Sequence, residues 1–259
     1  MTLLASDGIR TSAPSPTLRT SYFGPDVAQA IRRYRRLATV LPSTAVHYVV
    51  GADPHPGLLA AIVAAGGGFA VKGPAEVRAY LAAGARPEDL VCSHPIERRA
   101  DVVEAAGLGV RLFVVGSVEE TLRVADAAPG SAVLFRIHAS GRGPDRPRSR
   151  PDGRSTGEAV AVLLRAAESG LDPAGVAFHV GSRQRDPHAW RSPIAASAHV
   201  FGALRESGLR PWLLDLGGGF PAALEGGAPP LALYGASIDR ALRLSSASTV
   251  PGRWSSQAA

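Results

Sequence analysis

Short apolar runs alternate with segments of helical periodicity along most of the chain, and this alternation restricts the fold more than any other feature. Strands that alternate with helices form βα units around a parallel sheet. Strands are predicted near Val46–Val50, Gly68–Val71, Leu90–Ser93, Arg111–Val115, Ala132–His138, Gly175–Gly181, Trp212–Leu216 and Ser248–Pro251. Helices are predicted at Asp26–Leu37, Pro56–Ala65, Pro74–Ala83, Ile96–Ala106, Val118–Ala127, Thr156–Ser169, Ser192–Ser207 and Leu231–Leu244.

The eight predicted units suffice to close a (β/α)8 barrel of the TIM type. In such a barrel the active site lies at the carboxyl ends of the strands, with a phosphate site in the loops after strands seven and eight. An open doubly wound sheet is the alternative, although the even spacing gives no topological switch point. We expect one barrel domain over residues 22–254, an N-terminal arm at 1–21, a long polar loop at 139–155 and an unstructured tail at 255–259.

Composition restricts the class of protein. With 259 residues and 46% apolar side chains, the chain is long enough to bury a core. Its one cysteine, Cys92, excludes an internal disulfide and fits a reducing compartment. No apolar run reaches the length of a membrane span, and residues 1–21 lack a hydrophobic signal core. These features predict a soluble, cytoplasmic protein.

A net charge of +6 raises the question of nucleic-acid binding. The arginines are scattered, however, and the one dense group, Arg142–Arg154, lies in a Gly/Pro/Asp-rich stretch without aromatic residues. A solvated loop is therefore the better interpretation. Asp145, Asp152 and His138 match no metal-ligand spacing, so no metal site is predicted. Of the 28 basic side chains all but Lys72 are arginine.

Two motifs fall where predicted strands six and seven end. The segment Phe178–Ser182 (FHVGS) precedes Leu214–Pro221 (LDLGGGFP). Adjacent glycines let backbone N–H groups approach an anion without an intervening Cβ. In this order and spacing the motifs resemble the barrel domain of the ornithine/diaminopimelate/arginine decarboxylases, which are fold-type III, alanine-racemase-like enzymes that use pyridoxal 5'-phosphate (PLP).

The resemblance extends from about Tyr22 to Trp254 and implies a set of site residues. In the family the histidine of the FHVGS segment stacks on the pyridine ring and its serine contacts the phosphate. The glycines, together with the arginine in Val250–Trp254 (VPGRW), hold the phosphate, and an arginine on strand five lies in the active site. The implied cofactor-binding residues are His179, Ser182, Gly217, Gly218, Gly219, Gly252, Arg253 and Arg136.

Other positions depart from the family pattern. Tyr48–Pro56 (YVVGADPHP) resembles a segment whose lysine forms the Schiff base with PLP, and that lysine falls on Gly51. The aspartate that supports it is replaced by Ala70. The glutamate that pairs with the pyridinium nitrogen is replaced by Val250. The family also continues into a second, β-rich domain, which we expect this chain to lack.

Each implied residue also has a structural interpretation. His179 could be a core histidine, the glycines a plain strand-to-loop turn, and Arg253 a solvated residue. Lys72 shares the strand face of position 70, so it could be a relocated Schiff-base lysine, or an ordinary solvated lysine at a strand end.

The resemblance implies descent from a PLP-dependent decarboxylase of basic amino acids in polyamine or lysine metabolism. Because Gly51 and Val250 remove two groups that the chemistry needs, we expect this chain to be inactive as written, a pseudoenzyme. The alternatives are a non-catalytic PLP- or phosphate-binding protein, a regulatory protein-binding homologue, or a decayed, truncated gene product. The expected partners are a small amino acid by ancestry, and a second copy or another protein, but neither nucleic acid nor membrane.

Overall fold

The computed structural model describes residues 26–49, 55–93, 97–139, 144–146, 154–221, 227–246 and 254–258. Within these ranges the strands are β1 (Thr44–Val49), β2 (Gly68–Val71), β3 (Leu90–Cys92), β4 (Leu112–Val115), β5 (Ala132–Arg136), β6 (Pro144–Arg146), β7 (Asp172–Ala177), β8 (Ser182–Gln184), β9 (Leu213–Asp215) and β10 (Trp254–Ala258). The helices are α1 (Val27–Val40), α2 (Pro56–Ala64), α3 (Pro74–Ala82), α4 (Arg99–Gly107), α5 (Val118–Ala127), α6 (Thr156–Glu168), α7 (Arg191–Glu206) and α8 (Leu231–Ser246).

Eight parallel strands close a barrel in the spatial order β1-β10-β9-β7-β5-β4-β3-β2. Chain order is kept around the barrel, as expected for consecutive right-handed βα units. The predicted (β/α)8 class is therefore confirmed, and the open sheet that was its alternative is wrong. All eight carboxyl strand ends lie at one rim of the barrel, where the two sequence motifs follow β7 and β9.

Side chains alternate between two apolar layers. In β2, Phe69 and Val71 belong to the large core between the strands and the surrounding helices. Ala70 points the other way and joins a smaller cluster that fills the barrel, with Val91, Val114 and Leu134. This period of two is what strand geometry requires. Residue 70 therefore faces the barrel interior.

Local sequence signals set the helix starts. Pro56 and Pro74 lie in the first turns of α2 and α3, where a helix needs no N–H. The Ser117 hydroxyl caps α5 by accepting from the Glu120 amide at 3.1 Å, and the Glu120 carboxylate accepts from the Gly116 amide at 2.7 Å. This reciprocal pair resembles a capping box, shifted by one residue at its second bond.

The C-terminal end of the barrel differs from the prediction. The predicted strand at Ser248–Pro251 lies outside the described residues, and the eighth barrel strand is β10, which pairs with β1 from Thr44↔Trp254 to Tyr48↔Ala258. The prediction that residues 255–259 form an unstructured tail is therefore wrong for 255–258. Closure needs a strand between β1 and β9, and the main-chain hydrogen bonds of a ladder do not depend on apolar side chains.

The region predicted as a polar loop at 139–155 contains one strand. β6 pairs antiparallel with β8 as a two-stranded ribbon separate from the barrel, with the partners Pro144↔Gln184 and Arg146↔Ser182. The prediction of a loop throughout is wrong for these three residues. Proline and aspartate are depleted in strands, so the sequence gives no strand signal at β6.

None of the described helices has the length and apolar character needed to cross a membrane.

Candidate phosphate-binding site

The two sequence motifs lie side by side at the carboxyl rim. β7 and β9 are neighbours in register, with Ala177 opposite Asp215, and the Phe178 amide donates to the Asp215 carbonyl at 3.1 Å. The segments Phe178–Ser182 and Leu216–Phe220 therefore leave the barrel together. Loops at this rim supply the functional groups of barrels of this type.

The loop between Leu216 and Phe220, here called the glycine loop, rests directly on the other segment. Gly217 has φ +64°, and a Cβ there would overlap the Phe178 carbonyl oxygen and lie 3.0 Å from the His179 Cα. Gly219 has φ +106°, and a Cβ there would overlap the Gly181 carbonyl oxygen. Both the dihedral and the close backbone approach require glycine. The bare backbone of this loop is a cradle of the kind that binds anions.

His179 contacts the glycine loop from its neighbouring strand. The Gly218 amide donates to His179 Nδ1 at 3.3 Å, which makes Nδ1 an acceptor and places the proton of the neutral ring on Nε2. The Gly217 amide donates to Asp215 Oδ1 at 2.9 Å. The contact to His179 is the longer of the two, so an anion at Gly218 would compete with the histidine for that amide.

Ser182 is brought to the same place by β8. Its side chain is exposed at the start of this strand, and two residues later the Gln184 amide donates to the Gly219 carbonyl at 2.8 Å. Ser182 and Gly219 thus share one rim, as the sequence predicts. Arg183 has φ +53° and is the one non-glycine residue with positive φ among those described. Backbone strain of this kind is concentrated at functional sites.

Charged groups lie inside the barrel beneath the glycine loop. Asp215 is 2% exposed, and its charge opposes the effect of burial on both Arg136 and His47. Burial lowers the pKa of the Arg136 guanidinium, which also donates to the Ser93 carbonyl at 2.6 Å. Burial likewise lowers the pKa of His47, so this imidazole is neutral at pH 7. The described part of the barrel therefore encloses a carboxylate and a guanidinium beside a neutral histidine.

Sequence reasoning identified Arg136 but not His47. Strand alternation could have identified His47, because His47 and Val49 are two residues apart on β1 and therefore share the face that points into the barrel.

Lys72 lies immediately after β2, at the carboxyl rim. Its amide donates to Glu76 Oε2 at 2.8 Å, and its side chain is exposed. Ala70 provides no carboxylate near it inside the barrel. This placement suits the solvated lysine of the structural interpretation.

Several predicted positions lie outside the described residues: Gly51, Val250, Gly252 and Arg253. Within the described ranges no group of three or more His, Cys, Asp and Glu side chains is arranged to hold a metal ion.

Comparison with known proteins identifies relatives. Residues 27–251 match the sequence model of the family described as pyridoxal-dependent decarboxylase, pyridoxal binding domain. The chain is 31% identical to the chloroplastic ornithine decarboxylase of Nicotiana glauca over 217 residues, which are 83% of this chain and 50% of that one. It is 27% identical to antizyme inhibitor 2 of Xenopus laevis over 203 residues, 78% of this chain and 44% of that one.

Solved structures agree with these relatives. A crystal structure of an SrLDC mutant in complex with PLP has a TM-score of 0.82 and 25% identity, covering 89% of this chain and 60% of that one. The lysine/ornithine decarboxylase of Vibrio vulnificus complexed with putrescine has a TM-score of 0.77 and 27% identity, covering 89% and 61%. The chain spans about half the length of the sequence relatives that it matches.

The described residues fit the phosphate half of PLP better than its aldehyde half. The glycine loop has a backbone surface that a Cβ would fill, and His179 and Ser182 border it. At the position of the lysine-supporting aspartate, by contrast, Ala70 packs into the apolar interior.

Proposed function

The chain belongs to the pyridoxal-dependent decarboxylase family through its pyridoxal-binding domain, and we propose that it binds PLP non-covalently through the phosphate and does not decarboxylate amino acids on its own. The glycine loop carries this proposal. Gly217 and Gly219 have backbone conformations and contacts that exclude any side chain, at the rim where barrels of this type bind phosphate.

Each residue around the loop has a proposed role. The Ser182 hydroxyl donates to a phosphate oxygen, and the Arg253 guanidinium pairs with the phosphate charge. His179 packs its ring against the pyridine ring, as an aromatic side chain can. Arg136 lies deeper, and its buried positive charge, together with the negative charge of Asp215, sets the electrostatic field beneath the cofactor.

The loss of turnover follows from groups that the sequence does not provide. PLP, when bound, supplies an electron sink for the charge left on the substrate after the carboxyl group departs. Gly51 has no amine for covalent attachment, Ala70 no carboxylate to support one, and Val250 no proton acceptor or charge for the ring nitrogen. Binding of the phosphate does not replace these functions, because losses within one catalytic unit are not additive.

The substrate class is carried over by likeness alone. The relatives are named for ornithine, lysine and arginine decarboxylation. Any amino acid that enters this site would therefore be basic, with a second amine or guanidinium on its side chain. We propose that such a compound is a ligand of the rim and is released unchanged.

Equilibrium dialysis tests the binding proposal. PLP and its dephosphorylated form, pyridoxal, are compared on the wild-type chain and on Gly219→Ala. We expect PLP to bind more tightly than pyridoxal to the wild type, and this preference to be lost in the variant. The control is Gly202→Ala in α7, where a Cβ meets no atom within 4 Å. Equal affinity of the wild type for both compounds would contradict the proposal.

Likeness to antizyme inhibitor 2 favours one second candidate, a regulatory protein-binding homologue. We propose that such a role would use apolar side chains exposed on the outer helices α4, α5 and α8: Val103, Val118, Leu122, Leu233 and Leu244. Sedimentation measures whether the chain self-associates. PLP binding by a dispersed monomer favours the cofactor-binding role, whereas a dimer that ignores PLP favours the regulatory one.

A further inference from the structure

Behind the glycine loop lie three aromatic rings, Trp190, Phe220 and Tyr234, here called the aromatic cluster. We propose that Trp190 and Tyr234 are positioning residues that hold the glycine loop and Ser182 in the arrangement that binds phosphate. This inference rests on the proposed function, and it adds a residue that precedes α7 and a residue of α8, neither of which touches the ligand.

Trp190 contacts both ends of the glycine loop. It directly precedes α7 and is fully buried. Its indole Nε1 donates to the Leu216 carbonyl at 3.1 Å, one residue before Gly217. Its ring stacks on Phe220, one residue after Gly219, with centroids 4.8 Å apart and an interplanar angle of 18°. One rigid side chain therefore fixes the two residues that flank the three glycines.

Tyr234 connects the cluster to the strand that presents Ser182. It lies in α8 with its ring edge-on to Trp190 at 5.8 Å, and its hydroxyl donates to the Gln184 carbonyl at 2.8 Å. The Gln184 amide in turn donates to the Gly219 carbonyl at 2.8 Å. A fully buried Gln184 side chain also donates to the Val180 carbonyl at 3.0 Å. These bonds tie β8 to the glycine loop.

Holding the glycine loop in place with the aromatic cluster has a physical reason. Three consecutive glycines lose more conformational freedom on ordering than other residues, and a loop that ligand alone must order binds more weakly. The aromatic cluster orders the loop before any ligand arrives. A hydroxyl or indole N–H at a buried main-chain acceptor is also costly to remove, because the acceptor is then left without its bond.

The test uses Trp190→Phe, which keeps a ring beside Phe220 and removes the bond to Leu216, and Tyr234→Phe, which removes the bond to Gln184. The matched control is Trp212→Phe, because the Trp212 indole also donates a hydrogen bond, to Asp172 Oδ2 at 3.0 Å, at the opposite end of β9. Affinity is measured for PLP and for pyridoxal well below each variant's unfolding transition, with the ³¹P chemical shift of bound PLP as a second readout.

We expect Trp190→Phe and Tyr234→Phe, the two loop variants, each to bind PLP about fivefold more weakly, because each loses the contribution of one hydrogen bond that positions the glycine loop or β8. Their affinity for pyridoxal should be unchanged. The ³¹P shift of bound PLP should change in both, and Trp212→Phe should match the wild type. A purely structural role would lower stability without changing the ratio of the two affinities, and that outcome overturns the inference.

The two proposals fail in different ways. If the wild type does not prefer PLP over pyridoxal, the proposed function is wrong, and the positioning role falls with it. If the wild type shows the preference and both loop variants retain it, the phosphate site stands and the positioning role is wrong. If Trp190→Phe does not fold, Tyr234→Phe alone tests the positioning role, since it removes one hydrogen bond and keeps the ring.

Discussion

The main chain of Gly181 crosses Gly219 so closely that its carbonyl oxygen occupies the place of a Cβ on that glycine. Gly219 also has φ +106°, a region that side-chain-bearing residues rarely adopt. The contact joins the loops that follow β7 and β9, and the candidate phosphate site is built on this crossing. Its strict requirement for glycine leads to the first prediction.

Gly219→Ala should destabilise the protein by about 2 kcal/mol or more, because the new methyl group meets fixed backbone and the dihedral is strained. Denaturant unfolding measures the change. Gly202→Ala in α7 is the control, and there the free energy of unfolding should rise by about 0.5 kcal/mol, since alanine is the better helix former. Equal stability of the two variants would show that the crossing relaxes at no cost.

Arg183→Gly should raise the free energy of unfolding by about 0.5 kcal/mol, the balance between relief of left-handed strain and the extra freedom of glycine in the unfolded chain. The motivation is the φ of +53° at Arg183. Thermal and denaturant unfolding of the variant measure the gain. Arg210→Gly, at an exposed residue without positive φ, should give no gain. A clear loss at position 183 would mean that contacts of the arginine outweigh its strain.

Acid should weaken the fold through His47. Burial lowers the pKa of this imidazole below its ordinary 6.5, against the opposing charges of Asp215 and Asp89. The unfolded chain then binds the proton more readily than the folded one. The contribution of neutral His47 to the free energy of unfolding is therefore complete above pH 6.5, and it is lost as the pH falls through the pKa of His47 in the folded protein. In His47→Gln, unfolding measured from pH 8 to pH 5 should show a shallower loss of stability than in the wild type.

The control for that titration is His199→Gln, at an exposed position of α7. It should follow the wild-type pH profile. If His47→Gln also follows it, the buried imidazole does not contribute to acid sensitivity.

Apolar periodicity was sufficient to predict most of the barrel. β2 was predicted at the bounds the structure shows. β10 and the ribbon of β6 with β8 were missed, because neither Trp254–Ala258 nor Pro144–Arg146 has the apolar run by which the other strands were predicted.

The sequence likewise predicted one part of the candidate site and not the other. The glycines and the serine were read from motifs, and the structure places Ser182 and Gly219 at one rim. The aromatic cluster could not be read, because Trp190, Phe220 and Tyr234 come from separate parts of the chain and look like ordinary core residues. A positioning role depends on which carbonyl a side chain reaches, and that is a property of the fold.

The final prediction is that the chain releases no carbon dioxide from ornithine, lysine, arginine or diaminopimelate at an enzymatic rate in the presence of PLP. Gly51 provides no amine for the cofactor and Val250 no carboxylate for its ring nitrogen. Lys72, the one lysine, is exposed at the end of β2 beside a cluster that offers it no carboxylate at position 70. Borohydride reduction after incubation with PLP, followed by peptide mapping, should therefore find no stoichiometric label on Lys72. Rapid release of labelled carbon dioxide by the wild type, abolished in Lys72→Ala and restored to that variant by an added primary amine, would instead establish a relocated catalytic lysine and overturn the non-catalytic assignment.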